Sequence, residues 1–189
     1  SPVTAISREE NSVTVVTEDA GAAVYDHVVI AAHADEAIAM LRDPSKEESR
    51  LLGSWRYQEN RTVLHTDTEV LPSNRRAWAS WNYLRERESS EQLPVSLTYH
   101  MNRLQGLESE IDYCVTLNRI KPIEETAILQ EFLYTHPVYN LESVKTQSEL
   151  PSLNGVRRTY FCGSYFGYGF HEDAITSALK AVEHFGLSL

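Results

Sequence analysis

A strand, a glycine-rich loop and a helix follow one another near the end of the sequence, and this stretch constrains the fold most. Residues 160–162 predict a short buried strand, and glycines at positions 163, 167 and 169 come directly after it. From Glu172 onward apolar residues recur at helical spacing, and Gly186 supplies a C-terminal stop. Such a segment presents the backbone N–H groups of a helix N-terminus to an anion or a polarised carbonyl.

The loop begins like a dinucleotide-binding fingerprint but does not complete it. Gly167-Tyr168-Gly169 matches the start of G-x-G-x-x-G, and Glu172 stands where the third glycine is required. This departure disfavours a nicotinamide-dependent Rossmann enzyme.

The charge balance excludes two classes of partner. The chain has 27 acidic against 17 basic residues and a formal net charge of −10, so it lacks the positive surface that binds nucleic acid or an anionic membrane. It also lacks the run of about 18 apolar residues that a membrane span requires and the features of a signal peptide. We therefore expect a cytoplasmic protein with a small-molecule substrate and no integral membrane contact.

The first part of the chain predicts a β-hairpin followed by two short helices. Residues 12–17 and 25–32 are β-rich runs separated by a turn, and residues 28–32 are apolar without alternation, which predicts a strand buried on both faces. Asp35 lies in the first turn of one helix; Asp43 and Pro44 look like N-cap and N1 of the next.

The middle of the chain changes to β-runs broken by turns, which predicts an antiparallel meander. The predicted strands are residues 55–58, 61–66, 77–84, 95–102, 113–118 and 128–135. Residues 141–150 predict a short helix that Pro151 ends.

Together these elements predict a mixed α+β fold with two domains. Residues 1–33 and 152–189 form one domain, completed only by the end of the chain, and residues 34–151 form an antiparallel sheet with helices inserted between them.

The common metal-binding and nucleophilic motifs are absent from the sequence. No histidine lies in H-E-x-x-H or beside cysteine at zinc spacing, and G-x-S-x-G is absent, so no metal site or serine triad is predicted. Cys114 and Cys162 lie in apolar runs, which predicts buried free thiols.

Polar and aromatic residues on the predicted strands, among them His65, Trp81, Tyr83, Tyr99 and His100, are open to two interpretations. On one strand such groups most often face solvent or satisfy a core hydrogen bond, whereas together they suit a pocket wall against a planar ligand.

The residues at the start of the last helix are also open to two interpretations. Glu172 and Asp173 complement the helix dipole and cap free N–H groups, which explains them without a ligand. His171 lies at the tip of the glycine loop, where a side chain meets whatever the helix N-terminus binds.

These segments resemble the flavin-containing amine oxidase family. GSYFGYGFHEDAITSALKAVE is similar to the family's C-terminal flavin-binding segment, and VTVVT followed by YDHVVIAAHADEAIAML is similar to its strand pair and entry into the substrate domain. NRTVLHTD, LPSNRRAWASWNY, TYHMNRLQGL, DYCVTLN and THPVY resemble one branch, the predicted NAD/FAD-binding proteins. The resemblance covers almost the whole chain.

The resemblance implies an FAD-dependent oxidoreductase that removes a hydride from an amine or a C–C bond. It implies an antiparallel substrate-domain sheet with helices, plus part of an FAD-binding α/β domain that residues 1–33 and 152–189 represent. The alternative is a non-catalytic flavoprotein-like binding module or a lipid-metabolism partner.

The resemblance also implies the site residues. The FAD contacts carry over to Val3, Gly163, Ser164, Gly169, Phe170, His171, Glu172 and Asp173. The catalytic residues stay open, with Trp81, Tyr99, Phe170 and His171 as candidates for the groups that face the flavin ring.

The chain departs from the family pattern at two points. Ser164 stands where members commonly have glutamate after the glycine, and the N-terminal βαβ unit with its G-x-G-x-x-G is absent. We therefore expect the missing N-terminal FAD-binding segment to be the partner of this chain. The chain alone is expected to be inactive and to bind FAD weakly or not at all.

Overall fold

The computed structural model describes residues 1–85 and 96–187 and confirms the mixed α+β class. The chain divides into two compact units, Ser1–Gln58 with Pro137–Leu189, and Glu59–His136. The predicted division into an FAD domain remnant (1–33, 152–189) and a substrate domain (34–151) concerns function, which compactness does not test, so it stays a prediction.

The first unit opens with a three-stranded antiparallel sheet: β1 (Val3–Arg8), β2 (Val13–Thr17) and β3 (Gly21–Tyr25). The predicted hairpin between 12–17 and 25–32 is wrong, since β2 pairs with β3 from Val13↔Tyr25 to Thr17↔Gly21. The turn decides this pairing: Gly21 adopts φ +74° and Ala20 N donates to Thr17 Oγ1. A tight turn at this point forces the next residues into the pairing despite their weak β-propensity.

The residues predicted as the second hairpin strand form a different sheet. β4 (Val28–Ile30) pairs in parallel with β10 (Thr159–Phe161), so strands from the two ends of the chain meet. Ile30 and Phe161 are buried, but 43% of Val29 is exposed, and burial on both faces is therefore wrong for this residue. Among the described residues, β4 pairs with β10 alone.

Helices α1 (Ala34–Met40) and α2 (Lys46–Gly53) follow β4. The N-cap of α2 is Ser45 and not Asp43: Ser45 Oγ accepts from Glu48 N at 3.1 Å, and Glu48 Oε2 accepts from Ser45 N at 2.7 Å. Asp43 instead bonds to Arg8, whose guanidinium donates to Asp43 Oδ1 and Glu48 Oε2 at 3.0 Å each. The local capping box of Ser45 and Glu48 therefore starts the helix after Ser45, two residues later than predicted.

Later segments complete the core of the first unit. Helix α4 (Leu141–Thr146) stops before the predicted end at residue 150, and a 3-10 turn at Leu150–Leu153 contains Pro151. Helix α5 (His171–Glu183) closes the chain and buries Ala181 against Tyr160 and Cys162. The main core contains large side chains from several elements, among them Leu51, Leu52, Trp55, Leu150, Phe161 and Tyr165.

The second unit is built on a five-stranded sheet. Its strands are β5 (Arg56–His65), β6 (Trp81–Leu84), β7 (Ser96–His100), β8 (Cys114–Leu117) and β9 (Ile128–Val138), with the short helix α3 (Met101–Gln105) after β7. The order β6-β7-β8-β5-β9 corrects the predicted meander, because β5 lies between β8 and β9.

The strand boundaries in the second unit also differ in part from the predictions. Runs 55–58 and 61–66 merge into the continuous strand β5, and β9 extends through Pro137. Val95, the first residue of one predicted strand, lies outside the described residues. The strand pairs β6–β7, β7–β8 and β5–β8 are antiparallel, as predicted.

In the described part of the chain, no helix combines the length and the apolar character needed to cross a bilayer.

Candidate functional site

The strand, glycine loop and helix predicted at the end of the chain are present. β10 leads through buried Cys162 to a 3-10 turn at Ser164–Phe166, then to Gly167–Gly169 and the start of α5 at His171. Gly186 has φ +73° and its N–H bonds to Glu183 O at 3.0 Å, so it ends the helix as predicted.

Side chains from distant segments fix the carbonyl of Gly167. Tyr139 Oη donates to Gly167 O at 3.1 Å, and Gln147 Nε2 donates to the same oxygen and to Tyr165 O at 3.2 Å. These contacts hold the loop in one conformation ahead of α5. Sequence patterns do not predict this role of Gln147, because its partner lies 20 residues away in an irregular segment.

The loop glycines are required by the chain's own packing. A Cβ atom on Gly163 would lie 2.6 Å from the Tyr165 ring, and one on Gly169, whose φ is +92°, would lie 2.8 Å from Tyr139 Oη. A Cβ on Gly167 would lie 2.2 Å from Asp173 Oδ1. These contacts explain the glycines without a ligand, and close approach of the backbone to FAD stays a prediction.

At the start of α5, one residue stabilises the helix and its neighbours are exposed to solvent. Asp173 Oδ2 accepts from Phe170 N at 2.9 Å, so its side chain caps the helix, which is the structural explanation foreseen for it. His171 and Glu172 are exposed, and 54% of Phe170 is exposed. The first-turn amides of an α-helix have no acceptor within the helix, so those of His171 and Glu172 are directed outward.

Gly163 and Ser164 are held from within the unit. Ser177 Oγ accepts from Gly163 N at 2.9 Å, and its hydrogen can go to Ala174 O at 2.8 Å or Gly163 O at 3.2 Å. Ser164 O accepts from Gly167 N and Gly169 N. The Gly163 amide is therefore already used, whereas the half-buried Ser164 side chain has no hydrogen-bond partner among the described residues and is the more available of the two.

Aromatic side chains pack behind the loop. Trp55 meets Tyr139 edge-on at 5.3 Å and Tyr165 at 5.9 Å between ring centroids. Burial raises the pKa of Tyr139 to about 12 and raises that of Tyr165 further, so both remain protonated phenols. Tyr165 Oη has no hydrogen-bond partner among the described residues.

Val3, the other predicted cofactor contact, lines a groove of about 600 Å³ in the same unit. The groove runs along β4 and is mostly apolar; its walls include Ile6, Val15, Val28, Ile30, Ala32 and Met40. A smaller cavity of about 300 Å³ lies between the glycine loop and α5, with Gln147, Asp173 and Lys180 in its walls.

In the second unit, the structure brings three of the singled-out aromatic residues onto one sheet face. Trp81 pairs with Tyr99 across β6 and β7, and their rings meet edge-on at 6.0 Å. Tyr83 lies two residues along β6, on the same face. Burial, and in second place the neighbouring Tyr83, raises the pKa of Tyr99.

The opposite face of this sheet carries the polar residues, which satisfy hydrogen bonds in the interior. His65 Nε2 meets Thr116 Oγ1 at 2.7 Å, Thr116 meets Thr98 at 2.8 Å, and His100 Nε2 meets Asp112 at 2.9 Å. The structural interpretation is therefore the correct one for His65 and His100.

The two cysteines are buried in the protein interior, and their surroundings disfavour the thiolate form. Both cysteines are free and buried, as predicted. Burial raises the pKa of Cys114 to about 12 and also raises that of Cys162, so neither forms a thiolate near neutral pH. Residues 1–85 and 96–187 contain no group of three or more potential ligands placed to hold a metal ion.

Comparison with known proteins identifies the fold. No family model and no curated protein matches the sequence. Among solved structures, a fatty acid isomerase from P. acnes that produces CLA matches with a TM-score of 0.66 at 15% identity, over 98% of this chain and 47% of that one.

Two further structures have the same fold. A protein from Exiguobacterium sp. 255-15 assigned as a protoporphyrinogen oxidase matches with a TM-score of 0.58 at 12% identity, over 97% and 46% of the two chains. A putrescine oxidase bound to putrescine matches with a TM-score of 0.61 at 10% identity, over 98% and 48%. The chain thus spans about half the length of these structures, and identities this low establish the fold alone.

Proposed function

We propose that this chain is part of an FAD-dependent oxidoreductase of the amine oxidase type, which transfers a hydride from a C–N or C–C bond to flavin. One observation carries the proposal: the segment that resembles the family's flavin-binding closing unit folds as strand, fixed glycine loop and helix. The match of nearly the whole chain to the fold of oxidases and an isomerase supports it.

The start of α5 suits the edge of a flavin ring. FAD, when bound, accepts the hydride and gathers negative charge at N1 and the C2 carbonyl of its ring. The amides of His171 and Glu172 and the helix dipole favour negative charge at this end of α5. Phe170 offers an exposed apolar ring beside them, and Asp173 acts through the cap that orients the Phe170 backbone.

The other predicted FAD contacts, Ser164 and Val3, are supported by separate observations. Ser164 is a candidate for the ribityl and pyrophosphate region through its side chain, because Ser177 already binds the Gly163 amide. Val3 and the groove along β4 provide an apolar surface on which the missing N-terminal FAD-binding segment would pack, since β4 offers a further strand edge there. In this proposal the chain alone is inactive and the whole protein is cytoplasmic.

The alternative is a flavoprotein-like module without turnover, such as a partner in lipid metabolism. The match to a fatty acid isomerase and the apolar sheet face of the second unit favour a lipid ligand within this alternative. Catalysis separates the two proposals, because only an oxidoreductase is reduced by its substrate.

The test is purification of the full-length protein under native conditions, followed by its absorption spectrum and anaerobic titration with amines and unsaturated lipids. We expect bound FAD and bleaching of the flavin by one substrate class. Absence of flavin, with no uptake of added FAD, would contradict the proposal. Flavin that no substrate reduces would favour the non-catalytic module.

A further inference from the structure

One face of the five-stranded sheet in the second unit is apolar yet accessible. The strand register places Trp81, Tyr99, Val115 and Leu64 in one row and Tyr83, Leu97, Leu117 and Thr62 in the next. Directly opposed residues share a face, so these eight side chains form one surface, called here the aromatic face. Trp81 is 44% and Tyr83 68% exposed, and most of the others are half-buried.

This patterning is partly inverted relative to an ordinary half-buried sheet. The covered face carries four polar residues beside apolar Val63 and Cys114, whereas the accessible face carries seven aromatic or aliphatic side chains and one buried polar residue, Thr62. The four polar residues are His65, Thr98, His100 and Thr116. An antiparallel sheet with one solvated face normally turns polar residues to water. Exposed apolar surface of this kind is typical of a binding site.

The charges around the aromatic face decide which ligand it suits. None of its eight side chains is charged. A cationic amine would therefore find no carboxylate on the aromatic face itself, whereas an uncharged chain needs none.

The dimensions of the face favour a chain over a compact ligand. Four strands at a spacing of about 4.8 Å make each row about 14 Å long. The edge-on pair Trp81–Tyr99 and the adjacent Tyr83 offer aromatic surface at one end, and Leu64, Val115 and Leu117 continue it as aliphatic surface. Such a strip matches a flexible hydrocarbon in both shape and polarity.

We propose that the aromatic face binds the long acyl chain of a lipid substrate, an assignment that rests on the proposed oxidoreductase function. The ligand's hydrocarbon lies along the rows, with Tyr83 and Trp81 covering one end. An amine is the competing ligand, because aromatic rings also attract cations.

The test measures binding separately from flavin chemistry. Full-length protein is titrated with cis-parinaric acid, and linoleic acid or 1,4-diaminobutane is then added as competitor. We expect linoleic acid to displace the probe and the diamine to leave it bound. Displacement by the diamine at similar concentration, or failure of the probe to bind, would overturn the proposal.

Substitution identifies the surface involved. Tyr83→Asp places a charge on the aromatic face and is expected to weaken probe binding about tenfold or more. Tyr83→Phe keeps the ring and should bind as the wild type does. Tyr25→Asp, at an exposed tyrosine of β3 in the first unit, is the matched control and should leave binding unchanged. Equal weakening by both aspartates would contradict the assignment.

Flavin content, read by absorbance in the same samples, separates the two proposals. Tyr83-dependent probe binding without FAD would contradict the oxidoreductase function and leave an acyl-binding face in a non-catalytic module. FAD with diamine binding would support the function and overturn the acyl site.

Discussion

The carboxylate of Asp173 lies in the space that a side chain on Gly167 would need, with Oδ1 only 2.2 Å from the ideal Cβ position. The same carboxylate accepts the Phe170 N–H at 2.9 Å and so caps α5. The loop and the helix start are therefore coupled: a residue larger than glycine at 167 displaces the group that orders residue 170.

Gly167→Ala should destabilise the protein by about 1–3 kcal/mol, because a Cβ atom forces Asp173 out of its cap and overpacks the loop. Chemical denaturation of the variant and the wild type measures the loss in the free energy of unfolding. Gly53→Ala is the control, since a Cβ there meets nothing within 4 Å. A similar loss in both variants would argue against the coupling.

Substitution of Asp173 measures how much its bond to the Phe170 N–H contributes to stability. Asp173→Ala should lower the free energy of unfolding by about 1 kcal/mol, because the Phe170 N–H loses the acceptor that this N3 carboxylate supplies. Glu172→Ala, at the exposed neighbour, should change it less, because Glu172 acts only through the screened helix dipole. Thermal unfolding of the two variants provides the comparison, and a larger loss for Glu172→Ala would contradict it.

The proposed flavin contact predicts a difference between two histidines of one helix. In the full-length protein, His171→Ala should shift the flavin's reduction potential or spectrum, because residue 171 lies at the proposed flavin edge. His184→Ala should not, since His184 is at the opposite end and contacts Tyr160 at 5.3 Å between centroids. Redox titration measures both variants, and equal shifts would count against the contact.

His65 should make the protein less stable in mild acid. Burial lowers its pKa, and its Nδ1 has no hydrogen-bond partner among the described residues. The unfolded chain therefore takes up a proton near pH 6.5, before the folded chain does. Stability from this group is complete above about pH 6.5 and is lost as the pH falls below that value.

Measurement of the free energy of unfolding between about pH 7.5 and pH 5.5 tests whether stability falls as the pH passes below the reference pKa of histidine. His65→Gln should flatten the decline, whereas His184→Gln, at an exposed position, should leave it unchanged. A decline as steep in His65→Gln as in the wild type would assign the pH dependence to other groups.

Local sequence signals predicted the elements whose causes are local. The spacing of glycines 163, 167 and 169 and the apolar period after Glu172 predicted the closing loop and helix, which are present. Cys114 and Cys162 were predicted as buried thiols for the same reason, since their apolar neighbours place them in the interior.

The missed features depend on contacts between distant segments. Tyr139 and Gln147 fix the loop from more than 15 residues away. The contact between Trp81 and Tyr99 depends on the register of β6 against β7. The alternation of apolar and polar residues along each strand does not determine that register. The wrong assignment of Asp43 as a cap has a different cause: Ser45 and Glu48 form a capping box, a local signal that the sequence contains and that outweighs Asp43-Pro44.

The pairing of Arg8 with Glu48 supports the last prediction, because both side chains are almost completely buried. Arg8→Ala leaves the carboxylate of Glu48 buried without its charged partner, which typically costs about 3–5 kcal/mol. Arg50→Ala is the control: its pairs with Glu47 and Glu149 are exposed, and such pairs contribute little.

Glu48 also fixes the pH dependence of this effect. Burial opposes its ionisation, but the bonds from Arg8 and Ser45 outweigh burial and lower its pKa. In the wild type, the ion pair's contribution to the free energy of unfolding is therefore present above the pKa of glutamate in the unfolded chain, near pH 4.3. It is lost as the pH falls below that value. In Arg8→Ala the acid-dependent part should shrink, and Glu48→Gln added to Arg8→Ala should restore part of the loss by removing the buried charge. Full additivity of the two substitutions in denaturant unfolding would show that the pair is not coupled.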